Sequence, residues 1–154
     1  MGVRLALETS AARALGGISR LARRGGGTTL PGKALWKLDP NAVDRLATGL
    51  ADGVALMSAT NGKTTTTAMA AEILGSEHRL AWNRAGANLL SGIASALVDS
   101  RKADLGLFEV DEAALPEAVA RLRPRVVTLG NLFRDQLDRY GELGLVDAHR
   151  STLA

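Results

Sequence analysis

Residues 53–74, GVALMSATNGKTTTTAMAAEIL, limit what this chain can fold into more than any other stretch. An apolar run of strand length gives way within four residues to Asn-Gly-Lys-Thr and then to a helix-forming segment. A phosphate needs donors at close range, and a tight loop opening into a helix supplies them through backbone N–H groups and the helix dipole. Gly62 lets the backbone approach an anion, Lys63 has the reach for β- and γ-phosphates, and the Thr64 hydroxyl suits Mg²⁺. The general phosphate-loop pattern also places glycine five positions before Gly62, where this chain has Met57, so the loop is of a shorter type. The competing interpretation is a helix N-terminus whose threonines act as caps.

Four short apolar runs, 53–58, 78–82, 104–110 and 125–130, alternate with helical patterns near 62–74, 88–99 and 114–122. That order predicts an α/β fold: a mostly parallel sheet of the phosphate-loop type, with flanking helices on both faces and right-handed crossovers. Asp39-Pro40 predicts the start of a further helix over 40–50. Ahead of it, TTLPGKALWKL reads as an extended segment with a turn at Pro31-Gly32. The first 24 residues form a basic amphipathic helix with Val3, Leu7, Ala14, Ile18 and Leu21 as its apolar stripe, ended by Gly25, Gly26 and Gly27. The organisation expected is an N-terminal helix and extended segment at 1–38 and a nucleotide-binding domain over 39–154.

The length of 154 residues suits one domain, and a complete two-domain enzyme does not fit. Cysteine is absent and there are two histidines, so no thiolate metal site is possible within the chain. Five scattered aromatics do not make a stacking platform, which argues against single-stranded nucleic acid as a partner. Residues 1–37 hold seven basic side chains against Glu8 alone, a charge of +6, which leaves −3 on the remainder of a chain whose total is +3. The basic N-terminal helix is thus open to three interpretations: packing on the domain, contact with a membrane surface, or a transit peptide.

The run DLGLFEVDEA ends in Glu109, Asp111 and Glu112, acids at the carboxyl end of a strand beside the phosphate loop. Glu109 is the candidate Mg²⁺ ligand together with Thr64; Asp111 and Glu112 are either ligands or caps for the helix ahead of Pro116. NRAGAN and NLFRDQLDRYGE follow the second and fourth strands, so Asn83, Arg84, Asn88, Asn131, Arg134, Asp135, Asp138 and Arg139 emerge at the same edge. Of these, Asn88 and Asp135 fit turn and cap work equally well.

The strings ATNGKTTTT, NRAGANLLSGI, FEVDEAALP and NLFRDQLDRYGEL, in this order and spacing, closely resemble the Mur ligase family. Most members carry histidine where this chain has Gln136, serines where it has Asp111 and Glu112, and glycine where it has Ala59. The first two departures resemble the branch that amidates the D-glutamate α-carboxylate of the lipid II stem peptide. The resemblance implies a central ATPase domain, incomplete here. ATP would be held by Thr60, Asn61, Gly62, Lys63, Thr64 and Thr65, and Mg²⁺ by Thr64 and Glu109. Asn83, Asn88, Asn131, Arg134 and Asp135 would lie on the substrate side. It implies lipid II as substrate, ammonia from a GatD-type glutaminase partner, and a bacterial cytoplasmic location, at the inner face of the membrane if the N-terminal helix touches lipid. Members of that branch continue with the rest of the ATPase domain, usually a four-cysteine zinc ribbon, and then a C-terminal domain, for which this chain has no residues. The expectation is therefore an N-terminal portion inactive by itself. The alternatives are a Mur-type ligase acting on a UDP-linked muramyl peptide, or a nucleotide-binding interaction module without catalysis.

Overall fold

The computed structural model describes residues 3–21, 29–84 and 87–131. β1 (Gly53–Ser58), β2 (Leu80–Trp82), β3 (Leu105–Glu109) and β4 (Val126–Leu129) form one sheet in the order β2-β3-β1-β4, and every pairing is parallel. Four strands fall where the apolar runs predicted them, trimmed by a residue or two at some ends. The helices α4 (Lys63–Leu74), α5 (Leu90–Asp99) and α6 (Leu115–Leu122) connect them, and this is the fold class expected.

Burial alternates along β1: Val54, Leu56 and Ser58 are buried, while Ala55 and Met57 are half-buried. The alternation follows from the pleat, which sends successive side chains to opposite faces. Val54 and Leu56 enter a core built with Val43 and Ala47, with Ile93, Ala94 and Leu97 of α5, with Phe108 and Val110, and with Leu115, Ala118 and Leu122 of α6. α4 contributes nothing to that cluster and touches β1, β2 and β3 from the other face, where it buries only Thr67 and Ala71. Met69 and Ile73 of α4 and Val126 and Leu129 of β4 are exposed, so that second face is thinly covered among the described residues.

α5 is buried almost all round, because a second layer of helices packs on its outer side. α1 (Val3–Leu21), α2 (Leu30–Leu38) and α3 (Ala42–Ala47) make that layer. Leu5, Ala12, Leu35, Ala42 and Val98 form its small core. Three expectations are corrected here. The segment TTLPGKALWKL is helical, not extended: Pro31 sits in the first turn of α2, where a missing N–H costs nothing, and Gly32 follows it within the helix. The buried stripe of α1 runs through Leu5, Thr9 and Ala12, not Leu7 and Ala14, which face solvent. Thr9 is tolerated inside because its Oγ1 donates to the Leu5 carbonyl at 2.8 Å. The side chains of Val3, Ile18 and Leu21 lie outside the described residues. Of the three interpretations of this helix, packing is the one seen for residues 5–14, and Arg13 adds a hydrogen bond to the Asp99 carbonyl at 3.2 Å. No described helix is long and apolar enough to cross a membrane.

The third correction is at Asp39-Pro40. Asp39 closes α2 with its N–H on the Leu35 carbonyl, and its Oδ1 accepts from the Asn41 N–H at 2.9 Å, so α3 begins at Ala42. Burial raises the Asp39 pKa, but the Arg45 guanidinium bonded to it and the Asn41 N–H outweigh that and hold the carboxyl below its usual range. Arg121 ties the layers together: it binds Glu117 at 2.9 Å and the Pro40 carbonyl at 3.1 Å, and lies 4.7 Å from the Trp36 ring centre.

Gly32 is where α2 comes closest to α5. Its N–H donates to Ser95 Oγ at 2.8 Å, and a Cβ there would lie 1.9 Å from the Ser91 carbonyl oxygen. Since that neighbour is helix backbone and cannot swing away, Gly32→Ala is expected to cost roughly 1–3 kcal/mol. A thermal melt of the variant within a degree of the native chain would refute this close-packed contact.

Candidate phosphate and metal site

β1 lies in the middle of the sheet, and its carboxyl end delivers the chain into residues 59–62. Ala59 and Thr60 are buried, whereas Asn61 and Gly62 face solvent. The Gly62 φ of +82° is the left-handed conformation that glycine adopts without penalty. Gly62 is the N-cap of α4, and no side chain caps this helix, which speaks against the threonines as caps. Thr64, Thr65 and Thr66 are exposed. The loop is stitched to the end of β4: Thr60 N–H donates to the Asn131 carbonyl at 2.9 Å, and Gly130 N–H to the Ser58 carbonyl at 2.7 Å.

β3 runs parallel beside β1 with Met57 opposite Glu109, so the acidic strand end arrives next to the loop. Glu109 is 1% exposed, and neither carboxylate oxygen has a hydrogen-bond partner among the described residues. Its backbone is gripped by Asn83, whose Oδ1 accepts from the Glu109 N–H at 3.0 Å while Nδ2 donates to the Glu109 carbonyl at 2.8 Å. The same Nδ2 donates to the Ala87 carbonyl at 2.9 Å. A buried amide thus fixes the backbone of a buried acid whose carboxyl oxygens have no partner among the described residues.

Asp111 caps the short 3₁₀ turn Glu112–Ala114, accepting from the Ala113 N–H at 3.3 Å, and its own N–H donates to the Asn88 carbonyl. Asn88 is half-buried and does not cap α5, whose N-cap is Leu89. Glu112 is also 1% exposed; its Oε2 lies 3.2 Å from the Lys63 Nζ and its Oε1 has no partner among the described residues. Lys63 also donates to the Ala59 carbonyl. Arg84 is exposed and stacks 4.8 Å from the Trp82 ring centre. Asn131 is exposed and meets the loop through its backbone. Arg134, Asp135, Gln136, Asp138 and Arg139 lie outside the described residues.

Loop residues Thr60–Thr65 and the acids Glu109, Asp111 and Glu112 therefore share one sheet edge, with Asn83 beneath them. The pairing of Glu112 with Lys63 was not legible in the sequence, because it joins residues 49 apart. Ser58 Oγ and Thr67 Oγ1, two further buried groups without partners among the described residues, carried no sequence signal either.

At the opposite, amino edge, Asp52, His78 and Asp104 bring one ligand atom each within 4.8 Å of the others. Asp104 already binds the Arg79 N–H at 2.7 Å and Nε at 2.9 Å, and His78 Nδ1 lies 3.2 Å from Asp52. These contacts fasten the starts of three strands. The hydrogen-bonded Arg79 guanidinium holds the Asp104 carboxyl below its ordinary value.

A model of the Mur ligase middle domain matches residues 58–152. The chain is 34% identical over 123 residues to the lipid II isoglutaminyl synthase (glutamine-hydrolyzing) subunit MurT of Staphylococcus aureus (strain N315), which covers 78% of this chain and 28% of that one. To the MurT subunit of Streptococcus pneumoniae (strain ATCC BAA-255 / R6) it is 35% identical over 128 residues, 80% of this chain and 28% of the other. The chain spans 28% of the length of these relatives. Among solved structures, MurF from Acinetobacter baumannii superposes with a TM-score of 0.62 at 19% identity, over 81% of this chain and 26% of that one, a likeness of fold.

Two outcomes follow from the geometry. Glu109→Gln, which replaces a buried carboxylate lacking a partner among the described residues by a neutral group of the same shape, should stabilise the ligand-free chain by about 1 kcal/mol, seen as a melting temperature roughly 2–4 °C higher; a fall would show that the carboxylate is satisfied in the folded chain. Asp104 has a lowered folded pKa, so its contribution is present above the unfolded value and is lost as pH falls through the folded one. The native chain should lose melting temperature faster than Asp104→Asn below about pH 5, and parallel curves would exclude the Arg79 pairing as a source of acid sensitivity.

Proposed function

The chain belongs to the Mur ligase family, through its middle domain, and on that footing we propose that it binds ATP at the loop after β1 as part of an ATP-dependent peptidoglycan ligase. The observation that carries this reading is the buried carboxylate of Glu109, without a partner among the described residues, at the strand end beside the glycine loop. A buried charge left without donors costs several kcal/mol on the order of a lost ion pair, and such sites persist where a cation or ligand completes them. Thr64 and Glu109 fit Mg²⁺, being hard oxygen donors, one at each side of the edge. When bound, Mg²⁺ supplies charge neutralisation on the β- and γ-phosphate oxygens.

In this reading Gly62 keeps the approach to the phosphates clear of a side chain, and Thr60, Asn61 and Thr65 line the path. Lys63 turns from Ala59 and Glu112 to the phosphates and stabilises charge on the transferring phosphoryl group. Asn83 acts as a positioning residue by fixing the Glu109 backbone; Asn88 and Asn131 are assigned to the acceptor side, as are Arg134 and Asp135 on the family resemblance alone. Residues 39–154 are the portion of the nucleotide-binding domain in this reading, and 1–38, with α1 and α2, an appendage to it.

The reaction we infer follows the activity named for the MurT relatives. The α-carboxylate of D-glutamate in the lipid II stem peptide attacks the γ-phosphorus of ATP; ADP leaves and an acyl phosphate forms. Ammonia from a GatD-type glutaminase then adds to the acyl carbon, phosphate departs, and D-isoglutamine remains. A carboxylate is a poor electrophile, and phosphorylation supplies its leaving group. Resemblance to MurT over most of this chain supports lipid II and the glutaminase partner, with the bacterial cytoplasm as the compartment.

Calorimetric titration with ATP and MgCl₂ tests the nucleotide reading. The native chain should bind, and Lys63→Ala should weaken binding by about tenfold or more, one lost charge-assisted contact at ~1.4 kcal/mol per decade. Equal affinity of the two proteins would remove Lys63 from the site, and no binding by the native chain would end the proposal.

A further inference from the structure

The nucleotide reading leaves Glu112 without a task, although it is among the most deeply buried side chains of the molecule. It sits in the 3₁₀ turn after β3 and reaches 3.2 Å to the Lys63 ammonium. The ammonium that would meet a polyphosphate is therefore held by a carboxylate behind it, with the Ala59 carbonyl as second acceptor. Glu109 and Glu112 are two buried carboxylates at one sheet edge, of which only Glu112 meets an ammonium, and three of their four oxygens lack a donor among the described residues.

That charge count sets two different outcomes for an incoming nucleotide. If Lys63 swings to a metal-free polyphosphate, Glu112 loses its partner and becomes a second unpaired anion in a low-dielectric site, facing the negative charge of the phosphates. Both effects oppose binding. If the polyphosphate arrives with a divalent cation, positive charge enters as Lys63 leaves, and neither carboxylate is stranded.

We propose that Glu112 is a positioning residue that parks the Lys63 ammonium in the empty loop and releases it only to a polyphosphate accompanied by a divalent cation. It makes nucleotide capture conditional on the metal. This rests on the nucleotide-binding reading of the loop, and concerns which form of the nucleotide the loop accepts.

The full chain is titrated with ATP twice, once in MgCl₂ and once in EDTA, and the ratio of the two affinities is the readout. A structural role alone would weaken both and leave the ratio unmoved. The native chain should bind the metal-complexed nucleotide about 100-fold more tightly. In Glu112→Gln the gap should narrow by about tenfold, an effect of ~1.4 kcal/mol, chiefly because metal-free ATP binds better. Glu112→Asp keeps the charge and should keep the gap to within about threefold; it also serves as the working variant if the glutamine form does not fold, since collapse of the gap in it overturns the proposal. An unchanged ratio in Glu112→Gln, with MgATP still bound by the native chain, overturns the role of Glu112 and leaves the nucleotide site standing. Equal shifts in both variants assign the effect to shape and overturn it as well. No MgATP binding by the native chain removes the nucleotide reading and this one together.

Discussion

Parallel pairing of β1 with β3 is the constraint from which the site follows. In a parallel ladder all strands end at the same edge, so a loop leaving β1 and an acid closing β3 meet without any long side chain having to reach. The register fixes the meeting more closely, because Met57 and Glu109 are partners and the Val110 N–H still donates to the Met57 carbonyl one residue on. β4 does the same from the other side, laying Gly130 and Asn131 against Ser58 and Thr60. The loop after β1 is thus held at both flanks by backbone hydrogen bonds.

Into this rigid edge the chain places groups that weaken the ligand-free fold. Glu109, Glu112, Ser58 and Thr67 all bury polar atoms without partners among the described residues. The surrounding structure bears that cost through a core of aliphatic side chains and Phe108, and through Asn83, which spends its amide on backbone groups that burial would otherwise leave unsatisfied. Among the described residues such groups gather at the carboxyl edge, while the opposite edge is fastened by Arg79, Asp104, His78 and Asp52.

The strands and the helices between them were legible because period two and period three-to-four patterns are written in consecutive residues. So was the tight turn from β1 into α4 at Asn-Gly-Lys-Thr, and so was the place of Glu109 at a strand end. Where the sequence misled, a tertiary contact had overruled a local signal. Pro31-Gly32 has the composition of a turn, yet proline is at home in the first turn of a helix and glycine there lets α2 approach α5. Thr9 occupies a stripe position that polarity argued against, because it satisfies its hydroxyl on its own helix. Asn83 was placed at the correct edge, but its grip on Glu109 joins residues 26 apart and Glu112 meets Lys63 across 49. Such contacts have no signature in adjacent residues.

The order in which the layers appear along the chain bears on its synthesis. α2 is closed against α5 by the Gly32 to Ser95 hydrogen bond, and α1 by Arg13 on Asp99. These pairs are separated by 63 and 86 residues. On a ribosome adding ~5–20 residues per second, the N-terminal helices emerge roughly 3–17 s before the surface they cover. Throughout that interval Leu5, Ala12 and Leu35 have only one another and Ala42 to pack on, without Val98 of α5. A helical layer made ahead of the helix it covers leaves its apolar side open to chaperones and neighbouring nascent chains until α5 arrives.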